Sequence, residues 1–239
     1  MPDRKPPPPP STRAASAGEV DAFLRKVAAA PNPVRSERGR LVFALDATAS
    51  REATWRRAQA IQADMFQAAA RVGTLDVQLV YYRGMGECRA GKWTADPDRL
   101  LAQLRSVDCL GGETQIGKVL SHALAETARA RIHAVVFVGD CMEEDVDELC
   151  AKAGQLGVLG VPLFLFHEGD DPAAARAFAQ MAKLSGGACC RFDAASADQL
   201  RDLLSAVAVF AAGGRAALMD YGRARGGAAA LLTDQMGGR

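Results

Sequence analysis

Two patterns of hydrophobic and polar positions alternate along the middle of the chain. Residues 41–45 (LVFAL) form an unbroken apolar run that ends at Asp46, which predicts a strand buried on both faces. Residues 51–72 then place apolar side chains at steps of three and four, which predicts a helix with one apolar face. Apolar runs at 134–138 and 161–166 predict two more buried strands.

The same patterns predict the remaining elements. Further strands are expected at 76–82 and 188–192, a hairpin element at 87–93, and helices at 98–107, 116–124, 143–156, 172–184 and 197–210. Strands that alternate with helices predict an α/β fold, a three-layer doubly wound and mostly parallel sheet with helices on both faces. In such folds ligands bind at the carboxyl ends of the strands, so polar residues there are the functional candidates.

The composition changes at both ends of the chain. Residues 1–17 are rich in proline and predict a disordered spacer, whereas residues 213–239 are rich in Gly, Ala and Arg. We expect the second segment to be a loosely ordered tail or a partner-binding segment, in which residues 216–221 could form a short helix, and both tails are net basic. The region between them, 18–212, is predicted to be one domain: a core at 38–212, preceded by a short helical lead-in.

Charge and hydrophobicity exclude several classes of protein. The chain has 29 Lys and Arg against 28 Asp and Glu, and 49% of its residues are hydrophobic. This balance is not typical of a disordered chain or of a nucleic-acid-binding protein. The longest nearly apolar stretch, 156–166, is shorter than the roughly 20 residues of a membrane helix, so we expect no membrane insertion. The proline-rich start has no apolar segment typical of a secretory signal, and we expect a cytoplasmic protein.

Cysteine and histidine spacing predicts neither disulfides nor a metal site. The six cysteines contain no Cys-x-x-Cys pair, and Cys189–Cys190 lies in a predicted buried strand. Cys141 follows Asp140 and could be a partly exposed thiol, although a buried role is favoured. The three histidines, His122, His133 and His167, have no metal-ligand spacing and are expected to be structural.

Oxygen-bearing side chains follow three segments at the predicted ligand edge. Asp46, Thr48 and Ser50 come directly after the first strand, Thr114 follows a Gly-Gly loop before a helix, and Asp140 ends a later strand. Carboxylate and hydroxyl oxygens suit a hard cation such as Mg²⁺ in octahedral coordination. The two carboxylates match the charge of a divalent cation only as a formal sum. The site therefore has room for one more anionic oxygen. The helix N-termini after Ser50 and Thr114 would favour that anion.

Each of these residues also has a simpler interpretation. Ser50 and Thr114 could be helix N-caps, and Asp46 could cap a loop. The acidic run at 143–148, just after Asp140, is best interpreted as the solvated start of a helix. The ordered combination of the segments favours the metal site over these separate roles.

This combination resembles a von Willebrand factor A (VWA) domain with a metal-ion-dependent adhesion site (MIDAS). The family pattern is Asp-x-Ser-x-Ser on the first strand, Thr after a Gly-rich loop, and Asp at the end of a later strand. The resemblance covers about residues 38–212 and implies a Rossmann-like VWA fold. The metal ligands that it implies are Asp46, Thr48, Ser50, Thr114 and Asp140.

The resemblance also implies how these residues would bind the metal. Thr48 and Ser50 would be direct hydroxyl ligands, Thr114 would bind directly or through water, and Asp46 and Asp140 would act largely through water. Thr48 departs from the usual Ser but keeps the hydroxyl, and intracellular members such as the copines resemble this variant. The implied cofactor is Mg²⁺ (or Mn²⁺/Ca²⁺).

The leading hypothesis is therefore a non-enzymatic, Mg²⁺-dependent interaction or adaptor domain of intracellular bacterial type. An acidic residue of a protein partner would complete the metal shell. By resemblance to intracellular bacterial relatives, we expect that partner to be an ATPase or a multiprotein complex. Another hypothesis is a scaffold with a degenerate, metal-free site, in which the two tails bind the partner.

The alternative is a phosphatase that resembles the haloacid dehalogenases. Asp46 would be its nucleophile, Thr114 a phosphate contact, Lys118 a charge-neutralising base, and Asp140 with Asp145 would be the Mg²⁺ ligands. That chemistry usually needs a general acid two residues after the nucleophile, where this chain has Thr48, which cannot serve at neutral pH.

Overall fold

A computed structural model describes residues 18, 22–23, 25–26, 38–53, 55, 59, 75–192 and 197–225 of the chain. The strands in this part are β1 (Gly39–Asp46), β2 (Leu75–Arg83), β3 (Glu87–Ala90), β4 (Ala134–Gly139), β5 (Leu163–Glu168) and β6 (Ala188–Phe192). The α-helices are α1 (Pro97–Arg105), α2 (Ile116–Arg129), α3 (Val146–Val158), α4 (Pro172–Ser185) and α5 (Ala197–Arg225). A short 3₁₀ turn, Ala49–Arg51, follows β1.

The six strands form one sheet in the order β3-β2-β1-β4-β5-β6. Only β3 is antiparallel to its neighbour; all other pairs are parallel. The predicted doubly wound, mostly parallel α/β fold is thus confirmed. The strand order reverses between β1 and β4, and a doubly wound sheet has its ligand crevice at such a point. Asp46 ends β1 and Asp140 directly follows β4, so both lie at this crevice.

Alternate side chains of β1 face two separate hydrophobic clusters. Leu41, Phe43 and Leu45 are fully buried and pack with side chains of α1 and α5 on one face of the sheet. Val42 and Ala44 point to the other face, which α2, α3 and α4 cover. Burial of a large apolar side chain contributes about 1.5–3 kcal/mol relative to exposure, so these two layers hold the strand ends in place.

Capping residues determine where several helices begin. Asp96, Asp145 and Asp171 accept hydrogen bonds from main-chain N–H groups in the first turns of α1, α3 and α4. The helix predicted to begin at residue 143 therefore begins later, at Val146, because Asp145 is its N-cap.

The last helix is longer than predicted. The sequence pattern predicts that it ends at Phe210, but helical residues continue to Arg225, and Gly214 within them has a non-helical conformation (φ 67°, ψ −160°). Glycine accommodates this positive φ without steric cost, so the helix bends and resumes. Within the described residues, no helix is long and apolar enough to cross a membrane.

Some predicted segments lie outside the described residues. These are the tail at 1–17, the end of the C-terminal tail from 226 onward, and most of the helix predicted at 51–72. Residues 52, 53, 55 and 59 of that helix are described, and they are helical.

Candidate metal centre

The loop after β1 folds around the carboxylate of Asp46. The side chain is fully buried, and its Oδ1 accepts hydrogen bonds from the Thr48 main-chain N–H (2.8 Å) and the Thr48 hydroxyl (2.6 Å). The Tyr82 hydroxyl donates to Oδ2 at 2.8 Å. Tyr82 is the register partner of Asp46 on β2, which explains why it reaches this carboxylate. The position of the carboxylate is therefore fixed from both sides.

Ser50 extends the same group of oxygens. Its Oγ lies 3.0 Å from Oγ1 of Thr48, and the 3₁₀ turn is closed by the hydrogen bond from Arg51 N to Thr48 O (3.1 Å). The N-cap position of this turn is Thr48, whose side chain makes no capping hydrogen bond. Ser50 is therefore not the N-cap of this turn. The side-chain oxygens of Asp46, Thr48 and Ser50 form one chain of contacts.

The Gly-Gly loop before α2 lies directly beside this turn. Leu110 N donates to Ala47 O at 3.0 Å, and Leu110 forms a bridge with Thr48 in parallel orientation. A Cβ atom on Gly112 would lie 2.1 Å from the carbonyl oxygen of Gly84, so a side chain at this position would collide with the main chain. The glycine allows the loop to pass close to the end of β2 on its way to Thr114.

Thr114 is joined to the loop that follows β4. Its hydroxyl accepts a hydrogen bond from Glu143 N (3.0 Å), and its main-chain N–H donates to the Glu143 carboxylate (3.1 Å). The N-cap position of α2 is Gln115, with no side-chain capping bond, so the N-cap interpretation of Thr114 is also wrong. Its hydroxyl has a fixed position and retains a lone pair for another ligand.

The start of α2 is occupied by a carboxylate of the same chain. Main-chain N–H groups of Ile116 and Gly117 donate to Glu144 at 2.5 and 2.8 Å. Two predictions are corrected here. Glu143 and Glu144 contact the start of α2 rather than begin α3, whereas Asp145, Asp147 and Glu148 form the exposed start of α3 as predicted. The N-terminus of α2 is not open to an incoming anion, because Glu144 already lies there. Sequence reasoning missed this role because both residues immediately precede α3 in the chain.

Asp140 brings a second carboxylate to the crevice. Its Oδ1 is buried and has no hydrogen-bond partner among the described residues. Burial raises the pKa of Asp46 above its ordinary value and the charge of Asp140 raises it further, while the hydrogen bonds from Thr48 and Tyr82 lower it. The two carboxylates are thus close enough to repel each other. A bound cation would remove that repulsion and would give the buried oxygen a partner.

A buried arginine that the sequence analysis did not single out lies beneath the site. Arg51 is 1% exposed; its Nε and Nη2 each lie 2.9 Å from Oε2 of Glu168. Its Nη1 donates to the carbonyl oxygens of Asp46 (2.9 Å) and Val138 (3.3 Å). One guanidinium therefore joins the ends of β1, β4 and β5. The only signal in the sequence was its place directly after Ser50.

The residues that the phosphatase hypothesis assigns as base and metal ligand make other contacts in the structure. Lys118 donates to Gly86 O and to Gln115 Oε1, both at 2.9 Å, and Asp145 caps α3. Both carboxylate oxygens of Asp46 accept hydrogen bonds, and the side chain is buried, so Asp46 is poorly placed to attack a substrate.

The candidate set therefore consists of two carboxylates and three hydroxyls on neighbouring segments. Asp46, Thr48 and Ser50 are in contact, Asp140 acts on Asp46 through its charge, and Thr114 is bonded to the Asp140 loop at Glu143. Within the described part of the chain, no group of three or more His, Cys, Asp or Glu side chains could hold a metal ion. A metal at this edge would depend on hydroxyl oxygens as well as carboxylates.

No protein-family model matches the sequence, and no curated protein sequence matches it. Solved structures do match the fold. The SpRpn10 VWA domain is 13% identical with a TM-score of 0.57, over 70% of this chain and 94% of that one. A von Willebrand factor type A protein from Catenulispora acidiphila is 17% identical with a TM-score of 0.58, over 72% of this chain and 43% of that one.

Another neighbour carries a metal. Proximal thread matrix protein 1 from the mussel byssus, with a zinc-occupied MIDAS motif, is 16% identical with a TM-score of 0.57, over 72% of this chain and 45% of that one. The chain thus spans nearly the whole of one neighbour and less than half of the other two. It has the fold of VWA domains, as the sequence predicted.

Proposed function

We propose that this chain is a non-enzymatic, Mg²⁺-dependent protein-interaction domain. The metal would be held by Asp46, Thr48, Ser50, Thr114 and Asp140. An acidic side chain of the partner would complete the coordination. Mn²⁺ or Ca²⁺ are the alternative ions, and the zinc in the MIDAS motif of the byssus protein supports a divalent cation in this fold.

The observation that carries the proposal is the buried, unpartnered Oδ1 of Asp140 beside the buried Asp46. A buried polar atom without a partner costs free energy, and two neighbouring carboxylates repel. A divalent cation would remove both costs. The hydroxyls of Thr48 and Ser50 are already 3.0 Å apart, and oxygen ligands of this kind suit a hard cation.

The chemistry of the partner follows from the same set of ligands. Two carboxylates and three neutral hydroxyls leave coordination positions open for a further oxygen. A cavity of about 230 Å³ opens beside Thr114, bounded by Met85 and Lys118, and would receive the side chain that carries it. We propose an ATPase or a multiprotein complex as the partner, by resemblance to intracellular bacterial VWA proteins.

The state of the cysteines supports a cytoplasmic location for the proposed adaptor. None of the described cysteines, Cys88, Cys109, Cys141, Cys150, Cys189 and Cys190, forms a disulfide in the structure. Disulfides are rare in reducing compartments, so free thiols are what a cytoplasmic protein would have.

Metal binding tests the proposal directly. Calorimetric titration of the full chain with Mg²⁺ and Mn²⁺ should show one site, and Asp140→Asn should weaken binding by about 10–100-fold or more. Oδ1 of Asp140 has no hydrogen bond to lose, so this variant should remain folded. Asp98→Asn, a change on the exposed first turn of α1, is the matched control. Equal affinity in the two variants would refute the site.

Partner binding tests the second half of the proposal. Capture of the partner should require Mg²⁺ and should be lost in Asp46→Ala, with circular dichroism used to check that the variant is folded. Capture that persists with a chelator and in the variant would instead support the scaffold hypothesis, in which the tails bind.

A further inference from the structure

The sheet itself holds the Tyr82 hydroxyl at the β1–β4 crevice. Tyr82 and Asp46 are register partners on β2 and β1, and both residues are fully buried. The main-chain carbonyl oxygen of Tyr82 accepts a hydrogen bond from the Ala47 N–H (3.0 Å), and its hydroxyl donates to Oδ2 of Asp46 (2.8 Å). Tyr82 is not among the proposed metal ligands, yet it is bonded to one of them.

Packing fixes the ring that carries this hydroxyl. The ring of Tyr82 stacks on Phe137 of β4, with the ring centroids 6.2 Å apart and an interplanar angle of 19°. Phe137 in turn packs edge-to-face against Phe178 of α4, at 5.5 Å and 88°. All three side chains belong to one buried hydrophobic cluster. Side chains of a close-packed core keep defined rotamers, so the hydroxyl has a fixed position relative to Asp46.

Donors on both oxygens set the orientation of the Asp46 carboxylate. Oδ1 accepts from the Thr48 N–H (2.8 Å) and the Thr48 hydroxyl (2.6 Å), whereas Oδ2 accepts from Tyr82. Rotation of the carboxylate about its Cβ–Cγ bond would break the hydrogen bond between Oδ2 and Tyr82, and both groups are buried, so the rotation costs free energy. Tyr82 thus holds from β2 a carboxylate that Thr48 holds from the loop.

Divalent cations differ in how strongly they depend on a fixed carboxylate. Mg²⁺ requires near-ideal octahedral geometry, whereas Ca²⁺ accepts about six to eight oxygens in a flexible arrangement that often includes bidentate carboxylates. A carboxylate that accepts hydrogen bonds on both oxygens cannot adjust its orientation without losing one of them. The fixed Asp46 therefore suits the ion with the stricter geometry.

We propose that Tyr82 is a positioning residue that makes the proposed metal centre selective for Mg²⁺ over Ca²⁺. It acts through Asp46, whose carboxylate it holds in one orientation before a cation binds, and it is not itself a ligand. The inference rests on the proposed metal site and specifies which ion that site selects.

The test removes one hydroxyl at each of two adjacent positions of β2. Tyr82→Phe keeps the ring that stacks on Phe137 and removes the donor to Asp46. Tyr81→Phe makes the same chemical change on a half-buried ring that packs on the other face of the sheet, so it is the matched control. Calorimetric titration of the full chain with Mg²⁺ and, separately, with Ca²⁺ gives the ratio of the two Kd values. Tyr82→Phe should weaken Mg²⁺ binding about 10–100-fold and Ca²⁺ binding less than about threefold, whereas Tyr81→Phe should leave the ratio unchanged.

The ratio separates positioning from a merely structural role, because a variant that is only less stable loses affinity for both ions alike. An unchanged ratio in Tyr82→Phe, or an equal change in Tyr81→Phe, would overturn the inference and leave the proposed metal site standing. The wild type gives a check that does not depend on the folding of a variant: Ca²⁺ binding as tight as Mg²⁺ binding would also overturn the inference alone. A wild type that binds neither ion would overturn the metal site and the inference with it.

Discussion

Two neighbouring regions at one edge of the sheet differ in how their buried polar groups are satisfied. At the start of α2, main-chain N–H donors that have no helical acceptor are satisfied by the chain itself, because Glu144 accepts from Ile116 and Gly117. At the β1–β4 crevice, two carboxylates lie together, and Oδ1 of Asp140 is buried without a partner in the described residues. We call the first the closed region and the second the open region.

The difference indicates where an external ligand can bind. A helix N-terminus is a favourable place for an anion. At α2 a carboxylate of the chain itself occupies that place, so the N–H groups of Ile116 and Gly117 are not available to an external anion. The open region instead has an excess of buried negative charge, which only a cation can balance. The partner's acid would therefore be attracted by the metal rather than by the helix.

The largest effect is expected from removing the arginine beneath the open region. Arg51→Met leaves the Glu168 carboxylate buried without its ion pair and should lower the free energy of unfolding by about 3–5 kcal/mol, measured by urea denaturation. Arg99→Met removes a largely exposed ion pair with Asp96 and should cost at most about 1 kcal/mol. Equal losses would show that Arg51 does not support the crevice.

Metal addition should distinguish the two regions next. At a concentration about 100-fold above its Kd, Mg²⁺ should raise the free energy of unfolding of the wild type by about 2.7 kcal/mol, and a chelator should reverse this. Asp46→Asn in the open region should abolish the increase, whereas Glu144→Gln in the closed region should retain it. The increase is measured by thermal unfolding with and without Mg²⁺. An equal increase in both variants would contradict the assignment of the open region.

Opening the closed region should have a smaller effect. Glu144→Ala removes the acceptor for two N–H groups of α2 and should cost about 0.5–2 kcal/mol, the range for the loss of a helix cap. Sulfate should then stabilise this variant more than the wild type, because the helix N-terminus has become available to an anion.

Glu148→Ala, an exposed change in the first turn of α3, is the control for this experiment. It should show no additional stabilisation by sulfate. If sulfate stabilises Glu144→Ala no more than this control, the two hydrogen bonds to Glu144 do not block anion binding at the N-terminus of α2.

Local patterns were sufficient to predict most of the fold and the position of Asp46 and Asp140 at one edge of the sheet. The apolar run 41–45, buried on both faces, fixed the place of Asp46, and the Gly-Gly loop fixed the place of Thr114. Parallel strands end at a common edge, so the residues that follow them could be expected to meet there without knowledge of the strand order.

The contacts that close and support the site could not be predicted in this way. Arg51 and Glu168 form an ion pair although they are 117 positions apart in the sequence. Glu143 and Glu144 follow β4 in the sequence and bond to residues at the start of α2, which precedes it. Glutamates before a helix are ordinarily assigned to that helix, since capping is a local effect. Only the packing of α2 beside the β4 loop redirects them.

The smallest effect should come from the one departure from the family pattern, Thr48. Its hydroxyl donates to Asp46 and contacts Ser50, and Ser would make both contacts, so Thr48→Ser should change Mg²⁺ affinity by less than about threefold. The lost methyl group is buried and should cost about 0.8 kcal/mol of stability. Thr48→Val keeps the shape but removes the hydroxyl, and should weaken Mg²⁺ binding by about tenfold or more. Calorimetry that finds equal affinities for the Ser and Val variants would mean that the Thr48 hydroxyl takes no part in metal binding, and Ser50 and Thr114 would then be the remaining hydroxyl ligands.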